Sequence, residues 1–323
     1  MTIAATDIGY GYSKALSSRF AVFPSVIGPA VEVKYHNDLI GNGKARALEI
    51  DGERWFAGDT ALLQSTFTIS PRARQRDTDV VKILTLFALQ AVGLGEGEVQ
   101  LVTGLPVAWY DDREEQIEAL TGQHKYSFNN TNCTSRISDV LVVPQPFGSF
   151  FRAIISADGQ LTDREGLARR KVGVVDIGTH TSDYALSNAL RYVEPKSGSI
   201  DVAMARVYEL IQRGIEQENG RILSLQEAEN VVRIGVYRDA GQEVDAQAIR
   251  AAALETVGRQ ILAKATELWG DGRDLDAILV TGGGGHAFHR RIQEQYAQAR
   301  LVDGPQKANV EGFYRYGLRK FGG

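Results

Sequence analysis

A single cysteine, Cys133, is all the thiol that this 323-residue chain possesses. One thiol excludes an intrachain disulfide and any thiolate metal cluster, and it makes a reducing, cytoplasmic setting the expectation. Proline is also scarce, with 8 residues against 34 glycines. Turns built on glycine that approach a ligand are therefore expected rather than Pro-rich linkers. Neither sign of charge dominates: 36 Lys and Arg stand against 40 Asp and Glu, for a net charge of −4. That balance disfavours a strongly basic protein that grips nucleic acid directly. No apolar run reaches the roughly 18 residues of a membrane span, and Met1–Asp7 lacks the basic and apolar regions of a signal peptide. With 43% hydrophobic and 24% charged residues, the chain has material for a buried core and is not mainly disordered. Its length suggests about two domains of ~150 residues.

Local signals place elements along the chain. Ile3–Thr6 reads as a strand that runs through a Gly/Ser turn into a second strand, and 19–23 and 53–57 carry further strand signals around the Asp51-Gly52 turn. Apolar spacing predicts a helix over Val80–Val92, ending at Gly93. Val99–Thr103 is a compact strand, 111–120 a charged helix and Ile137–Val143 a strand ending at Pro144. A helix follows to about Ala157. The polar stretch 158–171 reads as a linker. Beyond it come strands at Val172–Val175 and Asp183–Ser187, and helices over 200–218, 224–233 and 246–269. Then follow a buried strand at Ala277–Thr281, a helix over Ala287–Gln298, an edge strand at 300–302 and a helix over Asn309–Phe321. Strands alternating with helices define an α/β protein.

One repeat stands out. Asp7-Ile8-Gly9-Tyr10-Gly11-Tyr12-Ser13-Lys14 and Asp176-Ile177-Gly178-Thr179-His180-Thr181-Ser182-Asp183 share four of eight residues, one copy opening each inferred half. In a strand–turn–strand, Gly9 and Gly11 let backbone N–H groups converge on an anion. Ser13 adds a hydroxyl and Lys14 a charge for phosphate, while Asp7 points at a hydrated Mg²⁺. The plainer alternative is an ordinary hairpin with a solvated lysine. In the second copy Gly178, Thr179 and Thr181 form the same loop, Asp176 supplies a second carboxylate, and Asp183 orients the loop. His180 reads as a phosphate contact or as a surface histidine.

Gly282-Gly283-Gly284-Gly285 follows a buried strand and opens a helix, bringing backbone close to a ligand, with Ala287 and Phe288 lining an apolar slot. Four glycines lose much chain entropy on folding, and no ligand-free reason for that loss is evident from sequence. The pattern is not a P-loop, and no G-x-G-x-x-G marks a Rossmann dehydrogenase. Gln145, where a strand feeds a helix, can hold a water for attack on a phosphoryl group; its alternative is a plain polar residue at a helix start.

Two Asp-x-Gly loops, a glutamine-bearing helix and a Gly-rich loop, in this order, resemble the actin-like ATPase superfamily. The second loop, Val102-Thr103-Gly104-Leu105-Pro106 and Asn309-Val310-Glu311-Gly312-Phe313 are similar to those of ParM-type plasmid-segregation proteins and archaeal actin-like proteins. The resemblance spans Asp7 to Gly317. It implies an actin-like, ribonuclease H-like α/β fold of two domains with a nucleotide cleft between the lobes. Domain I is expected over 1–165 with a C-terminal helix, 306–323, returning to it; domain II is expected over 166–305. ATP or GTP with Mg²⁺ would bind. Asp7 and Asp176 would act through metal-bound waters and, with Gln145, carry catalysis. Gly9, Gly11, Ser13, Lys14, Gly178, Thr179 and Thr181 would hold phosphates, and Gly282 to Gly285 the adenosine. The implied function is a filament-forming nucleotidase in plasmid or DNA segregation or a cytoskeleton. Its partners would be copies of itself and a DNA-binding adaptor, without direct nucleic-acid or membrane contact. The alternative is a small-molecule, sugar-type kinase of the same superfamily; a scaffold with a degenerate cleft is disfavoured by Asp7, Lys14 and Asp176. A chaperone would need a peptide-binding domain after Gly323, and none is expected.

Overall fold

The computed structural model describes residues 2–32, 46–71, 78–163 and 165–322. Residue 164 of the stretch read as a linker, and residue 323 of the returning segment, lie outside the described residues. The chain forms two compact units, Met1–Glu165 with Lys307–Gly323, and Gly166–Gln306.

The first unit is built on strands β1 (Thr2–Ile8), β2 (Tyr12–Leu16), β3 (Phe20–Pro24), β4 (Ile27–Pro29), β5 (Ala47–Ile50), β6 (Glu53–Ala57), β7 (Gly97–Leu105), β8 (Gly122–Phe128) and β9 (Thr131–Pro144). They form one sheet in the order β3-β2-β1-β7-β9-β8-β5-β6-β4. β1, β7 and β9 run parallel. They are flanked by antiparallel β2 and β8. Helices α1 (Asp59–Gln64), α2 (Thr78–Ala91), α3 (Arg113–Leu120) and α4 (Pro146–Ile154) complete the unit with the C-terminal helix Ala308–Phe321. Val99 to Leu105 is buried without a break, as expected of a parallel strand covered on both faces. Alternation sorts the two covers. Ala4 and Leu101 pack in one cluster with Leu89 and Leu120, from α2 and α3. Ala5 and Val102 pack in another with Val310 and Phe313 of the C-terminal helix.

In the second unit β10 (Lys171–Ile177), β11 (Ser182–Asn188), β12 (Arg191–Tyr192), β13 (Gly198–Ile200), β16 (Ala277–Thr281) and β17 (Ala299–Leu301) make a second sheet. Its order is β12-β11-β10-β16-β17, with β13 also on β11. Strands β14 (Val236–Asp239) and β15 (Gln242–Asp245) pair separately. Helices α5 (Met204–Asn219), α6 (Leu225–Ile234), α7 (Gln247–Trp269) and α8 (Gly285–Gln295) supply its core. An antiparallel hairpin followed by two parallel neighbours, β2-β1-β7-β9, recurs here as β11-β10-β16-β17. The mixed α/β class is as the sequence implies.

Two hairpins carry no assignment in the sequence reading. β8 and β9 continue through 122–136 around Asn129 and Asn130, both at positive φ (51° and 65°), the backbone of a type I′ turn that asparagine tolerates. Their half-exposed, polar alternation hid them from an apolar-run reading. β14 and β15 turn at Ala240 and Gly241, also at positive φ. The helix expected over 287–298 starts at Gly285 instead, and the one expected to end near 157 stops at Ile154.

The C-terminal helix and α4 touch backbone to backbone. A Cβ on Gly312 would lie 1.6 Å from the Gly148 carbonyl oxygen, and one on Gly148 would lie 2.6 Å from Asn309 Cα. Ser149 donates its backbone N–H and its hydroxyl to Asn309 Oδ1, at 3.1 and 2.7 Å. Arg315 donates to the carbonyls of Arg152 and Ile155, both at 2.8 Å, closing the last turn of α4. Arg152 and Lys307 both pair with Glu311. Burial pushes the Glu311 carboxyl up, but its bonds from Arg152 and Lys307 more than offset this and hold it below the usual 4.5.

Gly312→Ala should destabilise the first unit by at least ~1–3 kcal/mol, the cost of overpacking where backbone cannot yield, measured by urea denaturation. Glu311→Gln should cost on the order of 1–2 kcal/mol at pH 7. The folded-state pKa of Glu311 is depressed, so its stabilisation is present above the unfolded value and fades as pH falls through the folded one. The gap between wild type and variant should therefore close below about pH 4, in denaturation curves taken from pH 7 to 3.

Candidate functional site

Each copy of the repeat is a hairpin with the same closure. Gly9 N–H donates to the Tyr12 carbonyl at 3.2 Å, and Gly178 N–H to the Thr181 carbonyl at 2.9 Å. A Cβ would stand 3.1 Å from that same oxygen at Gly9 and 3.2 Å at Gly178, so both turns are tight at the shared glycine. The shared Ile8 and Ile177 are core residues, 3% and 0% exposed. The shared serines are fully buried. Ser13 Oγ bonds Ser25 Oγ at 2.8 Å, and Ser182 Oγ donates to the Val202 carbonyl at 2.7 Å. Each serine pins its hairpin to the chain that follows, so the Ser13 hydroxyl is used for packing. Of the four shared residues, only the aspartates Asp7 and Asp176 bring chemistry.

Register decides what faces each aspartate. Asp7 pairs with Lys14 across β1 and β2. Lys14 Nζ donates to Asp7 Oδ2 at 2.9 Å, with the two side chains only 13% and 5% exposed. Asp7 Oδ1 accepts from Gln145 Nε2 at 3.0 Å. Gln145 is fixed where β9 enters α4, its own N–H donating to the Leu105 carbonyl at 2.8 Å. Gly104 makes room for it, since a Cβ there would lie 2.9 Å from Gln145 Cγ and 2.5 Å from Phe313. Three site residues from three elements thus form one hydrogen-bonded chain, Lys14–Asp7–Gln145. The sequence reading assigned the three separately. The signal it left unused is symmetry about the loop: a hairpin closed by Gly9 and Tyr12 sets Lys14 opposite Asp7.

The second hairpin inverts the charge. Asp176 pairs with Asp183, placing like charges on facing strands, an unfavourable arrangement unless compensated. Asp183 is 2% exposed and accepts hydroxyl bonds from Thr181, at 2.9 Å, and from Ser199. It ties the loop from within and takes up the Thr181 hydroxyl. The loop carbonyls of Gly178 and Thr179 accept from Met204 and Ala205 N–H, at 3.4 and 2.7 Å. Those two amides at the start of α5 are therefore spent on the hairpin. His180 keeps an exposed edge; partial desolvation lowers its pKa, against the opposing Glu209 and Asp201, so the ring is neutral near pH 7.

The glycine run has ligand-free reasons that its sequence did not reveal. Gly282 is at φ +83°, with Asp176 Oδ1 2.3 Å from where its Cβ would be. Gly284 packs against Ile177 and Met204, and Gly285 against Leu301 and Pro305. Gly283 alone has nothing within 4 Å and is exposed. Phe288, expected to line a slot, is 1% exposed in the core of this unit. The helix amphipathy that buries it outranks its nearness to the glycines.

Both aspartates suit Mg²⁺, which takes one or two carboxylates and keeps waters and phosphate oxygens for its remaining positions. Among the described residues no group of three or more His, Cys, Asp or Glu could cage a metal; each aspartate, taken by itself, offers one carboxylate of the kind that Mg²⁺ accepts. Lys14→Met should cost roughly 3 kcal/mol in denaturant unfolding, because it leaves the buried Asp7 carboxylate without its cation. Adding Asp7→Asn should restore most of that loss; a strictly additive double mutant would contradict the pairing.

A model of the actin-like proteins' N-terminal domain matches residues 5–148, and one of the archaeal actin homologue MreB-like C-terminal domain matches 174–294. No curated protein matches. Among solved structures, the archaeal actin homologue Ta0583 superposes with a TM-score of 0.85 at 18% identity, covering 99% of this chain and 100% of that one. The same protein in complex with ADP gives 0.81 at 17%, over 99% and 100%. ParM in a 15-stranded filament from Clostridium botulinum gives 0.79 at 21%, over 98% of each chain. Residues 5–148 thus match an actin-like N-terminal domain and residues 174–294 an archaeal MreB-like C-terminal domain, one on each unit, and the chain has the actin-like fold of ParM and the archaeal actin homologues over its whole length.

Proposed function

We propose that this protein binds and hydrolyses a nucleoside triphosphate with Mg²⁺ and uses that cycle to assemble and disassemble filaments of itself. The observation that carries the reading is the buried chain Lys14–Asp7–Gln145 at the mouth of a glycine-closed hairpin. The ADP complex of Ta0583 and the ParM filament support it by likeness of fold.

The residues divide the work. An ammonium has three donors; Lys14 gives one to Asp7 and turns the others to phosphate oxygens. Gly9, Gly11, Gly178 and Thr179 offer loop backbone, a better donor set than the inward-facing Ser13 and Thr181 hydroxyls. Asp7 and Asp176 are the carboxylates that would each hold Mg²⁺ through its waters, and the cation would supply charge neutralisation for the triphosphate. Gln145, its amide nitrogen engaged by Asp7, keeps Oε1 as an acceptor that aligns the attacking water. Water oxygen bonds to the γ-phosphorus as the bond to the β–γ bridging oxygen breaks, giving the nucleoside diphosphate and inorganic phosphate, with the proton of the water passing to a phosphate oxygen. Gly283, open and without a side chain, is where backbone approaches the adenosine among Gly282 to Gly285. Nucleotide state then shifts which conformation assembles. A role in plasmid or DNA segregation follows the ParM likeness; with a net charge of −4, DNA is met through an adaptor.

Gln145→Ala should lower kcat for phosphate release on the order of 10²-fold with nucleotide affinity nearly unchanged, the signature of a lost transition-state contact. Wild type should pellet with Mg-ATP or Mg-GTP and not without nucleotide. Undiminished turnover in Gln145→Ala would remove that residue from the chemistry. A wild type that binds neither nucleotide would overturn the proposal.

A further inference from the structure

The two hairpins differ at their tips as well as in charge. Tyr10 and Thr179 hold the same place in the repeat, first after the closing glycine. In the second hairpin backbone ties this place down: the carbonyls of Gly178 and Thr179 accept from Met204 and Ala205 N–H at the start of α5. In the first hairpin a side chain meets a neighbouring segment here. The Tyr10 ring stands edge-on to Trp109, with centroids 5.6 Å apart and planes at 86°, the T-shaped geometry that ring quadrupoles favour. Neither ring is a core residue and both are half-buried, so core packing does not demand the contact. The far side of the same loop is held as well, since the Gly11 carbonyl accepts from Ser25 N–H at 2.9 Å.

Trp109 is itself anchored. It lies in the 3-10 turn Val107–Asp112 between β7 and α3, and the chain leaves helical backbone at this residue (φ −121°, ψ 21°). Its N–H donates to the Pro106 carbonyl at 3.0 Å. The next residue, Tyr110, donates its hydroxyl to the Val142 carbonyl at 3.3 Å, and the Arg113 guanidinium stands 5.2 Å from the Tyr110 ring centroid. Val142 lies on β9, the strand that runs into Gln145. One short turn therefore braces the tip of the hairpin and is fastened to the strand that delivers Gln145.

We propose that Tyr10 and Trp109 are positioning residues for phosphate. Their contact fixes the tip of the first hairpin before ligand arrives, so the backbone from Gly9 to Gly11 is not ordered at the expense of binding. The inference rests on the nucleotide reading above. Neither ring touches the reacting atoms, and Lys14 and Gln145 keep their bonds to Asp7 when the pair is removed. The loss therefore falls on phosphate affinity and not on the chemical step. The contact is between rings, so it needs an aromatic at both positions and no hydroxyl at position 10.

The test titrates the full chain with ATP, ADP and AMP in the presence of Mg²⁺. Tyr10→Ala and Trp109→Ala should each weaken ATP and ADP by about three- to ten-fold, the scale of one aromatic pair, and AMP by clearly less. KM for ATP should rise in step while kcat stays within about two-fold of wild type. The double variant should bind no worse than either single one, because both remove the same contact. Tyr10→Phe and Trp109→Phe should bind as wild type does. In protein carrying 5-fluorotryptophan, the Trp109 ¹⁹F resonance, assigned by its loss in Trp109→Phe, should move in Tyr10→Ala without any nucleotide. A resonance that ignores Tyr10→Ala would refute the contact itself. Unchanged ATP affinity in the alanine variants, equal losses for AMP and ATP, additive losses in the double variant, or a fall in kcat at constant KM would each overturn the positioning role while leaving nucleotide binding in place. A wild type that binds none of the three nucleotides would bring down the nucleotide reading and this proposal with it.

Discussion

The closure of a four-residue hairpin loop on a glycine amide is the constraint from which the rest of the site follows. In both copies the N–H of the glycine after Asp-Ile reaches the carbonyl three residues on, and a Cβ at that glycine would press on that oxygen. Once the loop is closed this way, strand pairing has no freedom left, because a slip of one residue would turn every side chain to the other face. Asp7 must then face Lys14, and Asp176 must face Asp183. The isoleucine beside each aspartate enters the core, and the serine beyond each turn is buried against the following segment.

The two copies share a frame and differ in charge. Lys14 compensates Asp7 directly, whereas Asp183 is held by hydroxyls and leaves a second carboxylate opposite Asp176. That difference follows from one position of the repeat, lysine in one copy and aspartate in the other.

The first hairpin also depends on residues far away in sequence. Gln145 reaches Asp7 from the start of α4, and α4 is seated by the C-terminal helix through Gly148, Gly312 and Asn309. Phe313 of that helix closes over Gly104, beside Gln145. The last segment of the chain therefore supports a residue near its middle, which in turn holds one near its beginning. Glycine at 104, 148 and 312 does not serve flexibility in this arrangement; it permits contact distances that any side chain would prevent.

Much of the fold class was legible. Apolar runs such as Val99–Leu105 and Ala277–Thr281, and the spacing over Val80–Leu89, mark buried elements because burial on both faces leaves an unmistakable composition. The polar hairpins at 122–136 and 236–245 escaped because their strands are half exposed and their turns rest on positive φ at Asn129, Asn130 and Ala240, which side-chain type signals only weakly. For the site, sequence by itself determined which residue types were present and where the two loops recur, since those are properties of the chain. Only the tertiary structure decided that Lys14 and Gln145 meet on Asp7, that the Ser13 and Thr181 hydroxyls turn inward, and that three of four consecutive glycines are set by packing and backbone conformation. Each of these depends on what lies within a few ångströms, and in folded chains such neighbours come from strands and helices whose distance along the sequence carries no record of their contact.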